Sequence, residues 1–196
     1  MWVVKLGGSL YKKAELMHWI DQLTVFSQKH PITIVPGGGP FADQVRRAQQ
    51  HYSFNDEHAH HMALLAMSQF GLTLLSLSKN CKPLYYPTTS SIKQHPLSVW
   101  LPDRSLLSKS EIAQNWDVTS DSLALWLAHH LNADKLLLVK QTMPTNHLTI
   151  TQLSDAGIID KTFPELFSLN PVPCTLALAS EYQEVQSIFN RSALTL

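Results

Sequence analysis

A layered α/β domain with a mostly parallel sheet is the fold that this 196-residue sequence predicts, from three observations. Short apolar runs alternate with helical patterns along the chain. Five of the seven glycines fall in two loops, Gly7-Gly8 and Gly37-Gly38-Gly39, each directly behind a strand-like run. The hydrophobic content of 44% supplies a substantial core and argues against disorder.

Each element has its own signal. Strands are expected at Trp2–Leu6, Ile32–Val35, Pro83–Tyr86, Ser98–Leu101, Lys135–Lys140, His147–Ile150 and Cys174–Ala179. The first helix carries Leu16, Trp19, Ile20 and Leu23 at helical spacing and stops before His30-Pro31. Phe41, Val45 and Ala48 repeat the pattern behind the triple glycine. The longest helix is expected from about Asp56 to Leu77, with Met62, Leu65, Ala66, Gln69 and Leu72 on a broad stripe. Later helices are expected over Ser120–Leu131 and Glu181–Phe189, and the polar stretch Pro87–His95 reads as a surface loop. With no repeat, low-complexity tract or linker in the sequence, residues 1–196 read as a single domain.

Charge narrows the range of partners. Fifteen basic and fifteen acidic side chains cancel, which removes the electrostatic case for nucleic acid or a membrane surface. Cys81 and Cys174 are too few for a disulfide framework and suit a reduced, cytoplasmic setting. The N-terminus does not read as a signal peptide, and no segment approaches a membrane span.

The glycine loops carry the chemistry. Val3-Val4-Lys5-Leu6 runs into Gly7-Gly8-Ser9, and Ile32-Thr33-Ile34-Val35-Pro36 into Gly37-Gly38-Gly39-Pro40, where a helix begins. A glycine loop at a helix start offers free N–H donors to an anion. Two such loops, with Lys5 before the first, are suited to phosphoryl transfer, where positioning and charge neutralisation do most of the work. The first loop is not a P-loop, because its lysine precedes the glycines, and it lacks the spacing of a dinucleotide fingerprint. A third element, Trp116-Asp117-Val118-Thr119-Ser120-Asp121-Ser122-Leu123-Ala124, offers Thr119 or Ser120 as an N-cap and Asp121 in the first helical turn. Asp121 reads either as a capping charge alone or as the carboxylate that orients Lys5, with the hydroxyls and helix amides facing phosphate.

Val4-Lys5-Leu6-Gly7-Gly8-Ser9, Val35-Pro36-Gly37-Gly38-Gly39 and Thr119-Ser120-Asp121, in this order, resemble the amino acid kinase superfamily. The resemblance implies a three-layer α/β/α sandwich with a mainly parallel central sheet, Mg-ATP as donor and an acidic oxygen as acceptor. It also implies that Lys5 stabilises the transferring phosphoryl group and that Gly7, Gly8 and Ser9 cradle the nucleotide phosphates. Gly37, Gly38 and Gly39 would face the acceptor and the γ-phosphate, and Asp121 would organise the charged centre. Further stretches are similar to a short branch, the (aminomethyl)furanmethyl phosphate kinases of methanofuran biosynthesis. They are Pro36–Arg46, with Phe41 beside the glycines, Leu101–Leu107, Trp116–Leu123 and Asp160-Lys161-Thr162-Phe163-Pro164. That branch turns a furan methyl monophosphate into the diphosphate, for a one-carbon carrier. An acceptor phosphate oxygen is already ionised and needs no strong general base.

The chain departs from the family where such kinases carry an acidic, glycine-containing turn beside the nucleotide. Here it reads Lys140-Gln141-Thr142-Met143-Pro144-Thr145, and Lys140 reads as either an ATP-phosphate contact or a plain surface lysine. The glycine-rich nucleotide segment near the C-terminus is replaced by Ala177-Leu178-Ala179-Ser180-Glu181. Lys161 is a second candidate for phosphate. His58 and His61 share a helical face, but no cysteine or spaced carboxylate completes a metal site, and a solvated helix start is the simpler reading. His60 is a candidate for the acceptor phosphate and Trp116 for a wall of the acceptor pocket. Two rival functions stand beside the furan phosphate kinase. One is a non-catalytic phosphate- or nucleotide-binding or storage protein, and the other a kinase for a carboxylate or carbamate acceptor, for which Arg46, Arg47 and Arg104 are available. Self-association is expected by analogy, with the long helix as its surface.

Overall fold

Near-continuous apolar runs suit strands buried on both faces, which is the setting of a parallel sheet. The computed structural model, described over residues 1–85, 95–144 and 148–195, has six such strands: β1 (Trp2–Leu6), β2 (Ile32–Pro36), β3 (Lys82–Leu84), β4 (Leu97–Trp100), β5 (Lys135–Lys140) and β6 (Cys174–Leu178). All neighbours are parallel, in the order β3-β4-β2-β1-β5-β6. The strands that follow β1 directly, β2 to β4, lie on one side of it and β5 and β6 on the other, so β1 sits at the switch point where ligands of open α/β sheets gather, beyond the strands' carboxyl ends.

The helices are α1 (Ala14–Phe26), α2 (Gly39–Tyr52), α3 (Asp56–Leu77), α4 (Ser120–His130), α5 (Ile150–Asp155), α6 (Phe163–Leu169) and α7 (Val185–Phe189). They cover both faces of the sheet. Val3 of β1 with Leu136 and Leu138 of β5 joins the core under α4, whereas Val4 and Leu6 with Leu137 and Val139 join the core under α1. This two-residue alternation matters for function, because it carries Lys5 and Lys140 to the α4 face. α3 takes part in both cores, through Leu64 and Met67 in one and Phe70 and Leu74 in the other.

The expected mainly parallel sheet is found, parallel at every described pairing, whereas several other expected elements differ. No strand forms over 148–150: Thr149 caps α5 by accepting from the Gln152 backbone N–H while Gln152 Oε1 accepts from Thr149 N, a reciprocal capping box. His147, Thr145 and Tyr86 lie outside the described residues, as does most of the Pro87–His95 loop. The helix expected over Glu181–Phe189 is split into a 3-10 segment, Ala179–Glu184, and α7. Two further 3-10 turns, Gly8–Leu10 and Arg104–Ser108, and the helix α6 have no counterpart among the expected elements.

Candidate active site

The two glycine loops touch. Gly37 N–H donates to the Leu6 carbonyl at 2.9 Å. A Cβ on Gly8 would lie 2.2 Å from the Gly39 nitrogen, and one on Gly37 would lie 2.3 Å from the Gly8 nitrogen. Only bare backbone allows this approach, and Gly39 adds a left-handed φ of 56° at the start of α2. The glycines thus serve packing as well as any ligand, and they join the carboxyl ends of β1 and β2 into one floor.

Beneath this floor lies a buried charged centre. Lys5 projects from β1 and Lys140 from the end of β5, both toward the N-terminus of α4. There Asp121 receives them, with Lys5 Nζ 2.7 Å from Oδ1 and Lys140 Nζ 2.5 Å from Oδ2. Their side chains are 7%, 13% and 5% exposed for Lys5, Lys140 and Asp121. Burial opposes ionisation of Asp121, but Lys5 and Lys140 outweigh it and hold the carboxyl below its usual range. Burial and the neighbouring Lys5 lower Lys140 from the ordinary lysine range, against the pull of Asp121. Lys5 Nζ also reaches the underside of the first loop, 3.5 Å from where a Gly7 Cβ would be. Two ammonium groups sharing one carboxylate leave an excess positive charge and spare N–H donors beside the loop.

Asp160 completes the arrangement, a role the sequence reading did not assign to it. It accepts from Thr119 N at 2.9 Å, Thr119 Oγ1 at 2.5 Å and Ser122 N at 2.9 Å. It therefore caps α4 from 41 residues away in sequence. Burial and Asp121 raise its pKa, against those donors. The hydroxyl of Thr119 and the amides of Thr119 and Ser122 are committed to this carboxylate, while Thr119 also lines the adjacent cavity. Ser120 is buried and lines the adjacent cavity.

That cavity, of about 340 Å³, opens above the glycine floor. Its floor includes Gly8, Ser9, Gly38 and Gly39, and its walls come from α2, α3 and the 116–123 segment. Trp116 forms one wall, held by its indole N–H on Gln49 Oε1 at 2.6 Å, with the Arg46 guanidinium 3.7 Å above its ring. His60, 4% exposed, lines the same space. Lys5, Asp121 and Lys140 do not line it but lie next to it, through Gly8 and Ser120.

Three expected site residues lie elsewhere. Phe41 packs edge-on against Tyr11, with centroids 5.5 Å apart, on the core side of α2 and away from the cavity. Lys161 has a side chain 79% exposed and lies 3.4 Å from Asp117, apart from the buried centre. Gly37 faces the first loop rather than the cavity. Lys140, by contrast, is no surface lysine. Arg46, named above as available to a carboxylate acceptor, lines the cavity, and Asp43, Leu64 and Met67 do so without having been singled out as pocket residues. Of these, Asp43 and Arg46 had a legible signal, being one turn apart behind the glycines.

Residues 1–91 match the model of the amino acid kinase family. Over 178 residues, 85% of this chain and 82% of the relative, the sequence is 25% identical to the [5-(aminomethyl)furan-3-yl]methyl phosphate kinase of Methanocaldococcus jannaschii. Among solved structures, the uridylate kinase of Archaeoglobus fulgidus superposes with a TM-score of 0.76 over 99% of this chain and 97% of its own, at 14% identity. The UMP kinase of Ureaplasma parvum gives 0.72 over 99% and 94%, at 15% identity. Identities this low carry the fold alone.

Proposed function

We propose that this chain, whose first 91 residues match the amino acid kinase family model and whose fold is that of the uridylate kinases, is an ATP-dependent kinase of a small phosphorylated acceptor. The preferred acceptor is an aminomethylfuran methyl phosphate, which the reaction converts to the diphosphate. The observation that carries this reading is the buried Lys5–Asp121–Lys140 centre directly under two fused glycine loops. Preorganised positive charge of this kind stabilises a transferring phosphoryl group. The similarity to the furan phosphate kinase supports the choice of acceptor.

The donor site fits a nucleotide triphosphate through the first-loop backbone, Ser9 and the two ammonium groups. Among the described residues no cluster of three metal-ligating side chains exists. Mg²⁺ would be held by phosphate oxygens and water, a common mode for this ion. Asp121 keeps both lysines extended, so that the spare N–H groups of each are aimed rather than mobile. The acceptor phosphate arrives ionised, so the protein has no proton to remove.

Among the described residues, no helix is long and apolar enough to cross a membrane. Met62, Leu65 and Leu72 form an exposed apolar stripe on α3 that suits pairing with a second copy. A cytoplasmic setting goes with the reduced cysteines, both buried. The test is a coupled ADP-release assay against phosphorylated, carboxylated and carbamate acceptors, with wild type and Lys5→Ala. Release with the furan phosphate, abolished in a folded Lys5→Ala protein, is expected. Near-normal turnover by Lys5→Ala, or release with a carboxylate alone, contradicts the proposal. Absence of any Mg-ATP binding heat favours the non-catalytic rival.

A further inference from the structure

The cavity contains a buried hydrogen-bonding group with nothing to bond. His60 is 4% exposed, its Nε2 has no partner, and the residue lines the cavity. The Asn115 backbone supports the ring while burial, the larger influence, lowers its pKa, so the imidazole is neutral. With one ring nitrogen given to the Asn115 carbonyl, Nε2 is left as an acceptor. An acceptor buried without a donor is destabilising, so a ligand donor at this point relieves a standing loss.

The neighbouring wall supplies a matching charge. Asp43 is the one carboxylate lining the cavity, and among the described residues no cation lies within ion-pair distance of it. Arg46, one turn further along α2, is turned onto the Trp116 ring instead. The other polar groups are accounted for: the Trp116 indole N–H is spent on Gln49, and Ser9 and Ser120 flank the glycine floor. Asp43 lies four residues beyond Gly39 on the same helix, about 6 Å along its axis. Ala63, Leu64, Met67 and Leu123 give the same cavity an apolar lining. An anion floor, apolar walls and two acceptors suit a molecule with a phosphate, a flat ring and a donor-rich cation.

We propose that His60 Nε2 and the Asp43 carboxylate together bind an ammonium group of the acceptor, and that this pair selects aminomethyl over uncharged substituents on the ring. The inference rests on the furan phosphate reading above and deepens it. An acceptor without the amine leaves both groups unpaired. Because Asp43 is at the open rim, we expect discrimination of about 10- to 100-fold in kcat/KM, less than a fully buried site delivers.

The test compares [5-(aminomethyl)furan-3-yl]methyl phosphate with the analogue in which methyl replaces aminomethyl. Wild type, Asp43→Asn and His60→Phe are each assayed, with thermal melts to confirm folding. Wild type should prefer the amine by 10-fold or more, and the ratio should fall at least 5-fold in either variant. If His60→Phe does not fold, Asp43→Asn decides, since its site is at the rim. Equal use of both compounds by wild type, or an unchanged ratio in Asp43→Asn, overturns the inference and leaves the kinase reading standing. Turnover of neither compound by wild type overturns both.

Discussion

Asp121→Asn keeps the shape of the side chain and removes the carboxylate charge that bridges Lys5 and Lys140. Two ion pairs, at 2.7 Å and 2.5 Å, are lost at positions where all three side chains are nearly sealed from water. The two ammonium groups then face each other roughly 5 Å apart, which at an effective dielectric of about 20 is a repulsion of about 3 kcal/mol. Breaking a buried pair by removing one partner costs about 3–5 kcal/mol, much of it the uncompensated burial of the survivor. Against a stability of about 5–15 kcal/mol for a domain, the variant should remain folded at 25 °C with a much lower urea midpoint. Tryptophan fluorescence and circular dichroism through a urea series at pH 7 measure the loss. Asp121→Asn/Lys140→Met, which also removes one cation, should recover at least half of it. A loss below about 1 kcal/mol, or a double variant no more stable than Asp121→Asn, refutes a buried centre of two cations on one carboxylate.

Other perturbations test other parts of the site. Gly8→Ala places a Cβ 2.2 Å from the Gly39 nitrogen, so the loops must part, at about 1–3 kcal/mol and with loss of turnover. Gly157→Ala, at φ +67 with open space around it, should cost about 1 kcal/mol in a thermal melt and leave turnover intact. Lys140, lowered by burial and Lys5, loses its proton as pH rises before an ordinary lysine does. The alkaline fall of kcat/KM should therefore begin below the normal lysine range of about 10.4 and move upward in Lys140→Arg; a limb unmoved by that change contradicts the role of Lys140. Asp160→Asn can keep the Thr119 and Ser122 amide bonds only by turning its N–H₂ to the Thr119 hydroxyl, which must then accept, and it removes the capping charge, at about 1–3 kcal/mol. Urea unfolding checks it, and an unchanged midpoint would show that the cap is dispensable.

How much of this was legible in the sequence depends on how local each signal is. The two glycine loops and α3, from Asp56 to Leu77, follow from adjacent residues and from periodicity, and they stand where expected. The place of Asp121 followed from its position in a helix start. Lys140 was ambiguous at the end of a strand, although counting back through Leu138 and Leu136 puts it on the face that Lys5 shares. Asp160 was quoted only as part of a resembling stretch, because a cap supplied across 41 residues has no local pattern. Phe41 and Lys161 misled for a common reason. Each is next in sequence to a true site element, and on a helix or turn the next residue points elsewhere. At Thr149, alternation of Leu148 and Ile150 suggested a strand, while the Thr-x-x-Gln spacing that makes a capping box was the stronger local signal.

The most direct measurement is ³¹P NMR of the protein incubated with Mg-ATP and [5-(aminomethyl)furan-3-yl]methyl phosphate. Growth of a coupled pair of diphosphate resonances on the furan compound, matched one for one by ADP, is the expected spectrum. Monophosphate and ATP signals that persist unchanged over folded protein would contradict phosphoryl transfer across the glycine floor.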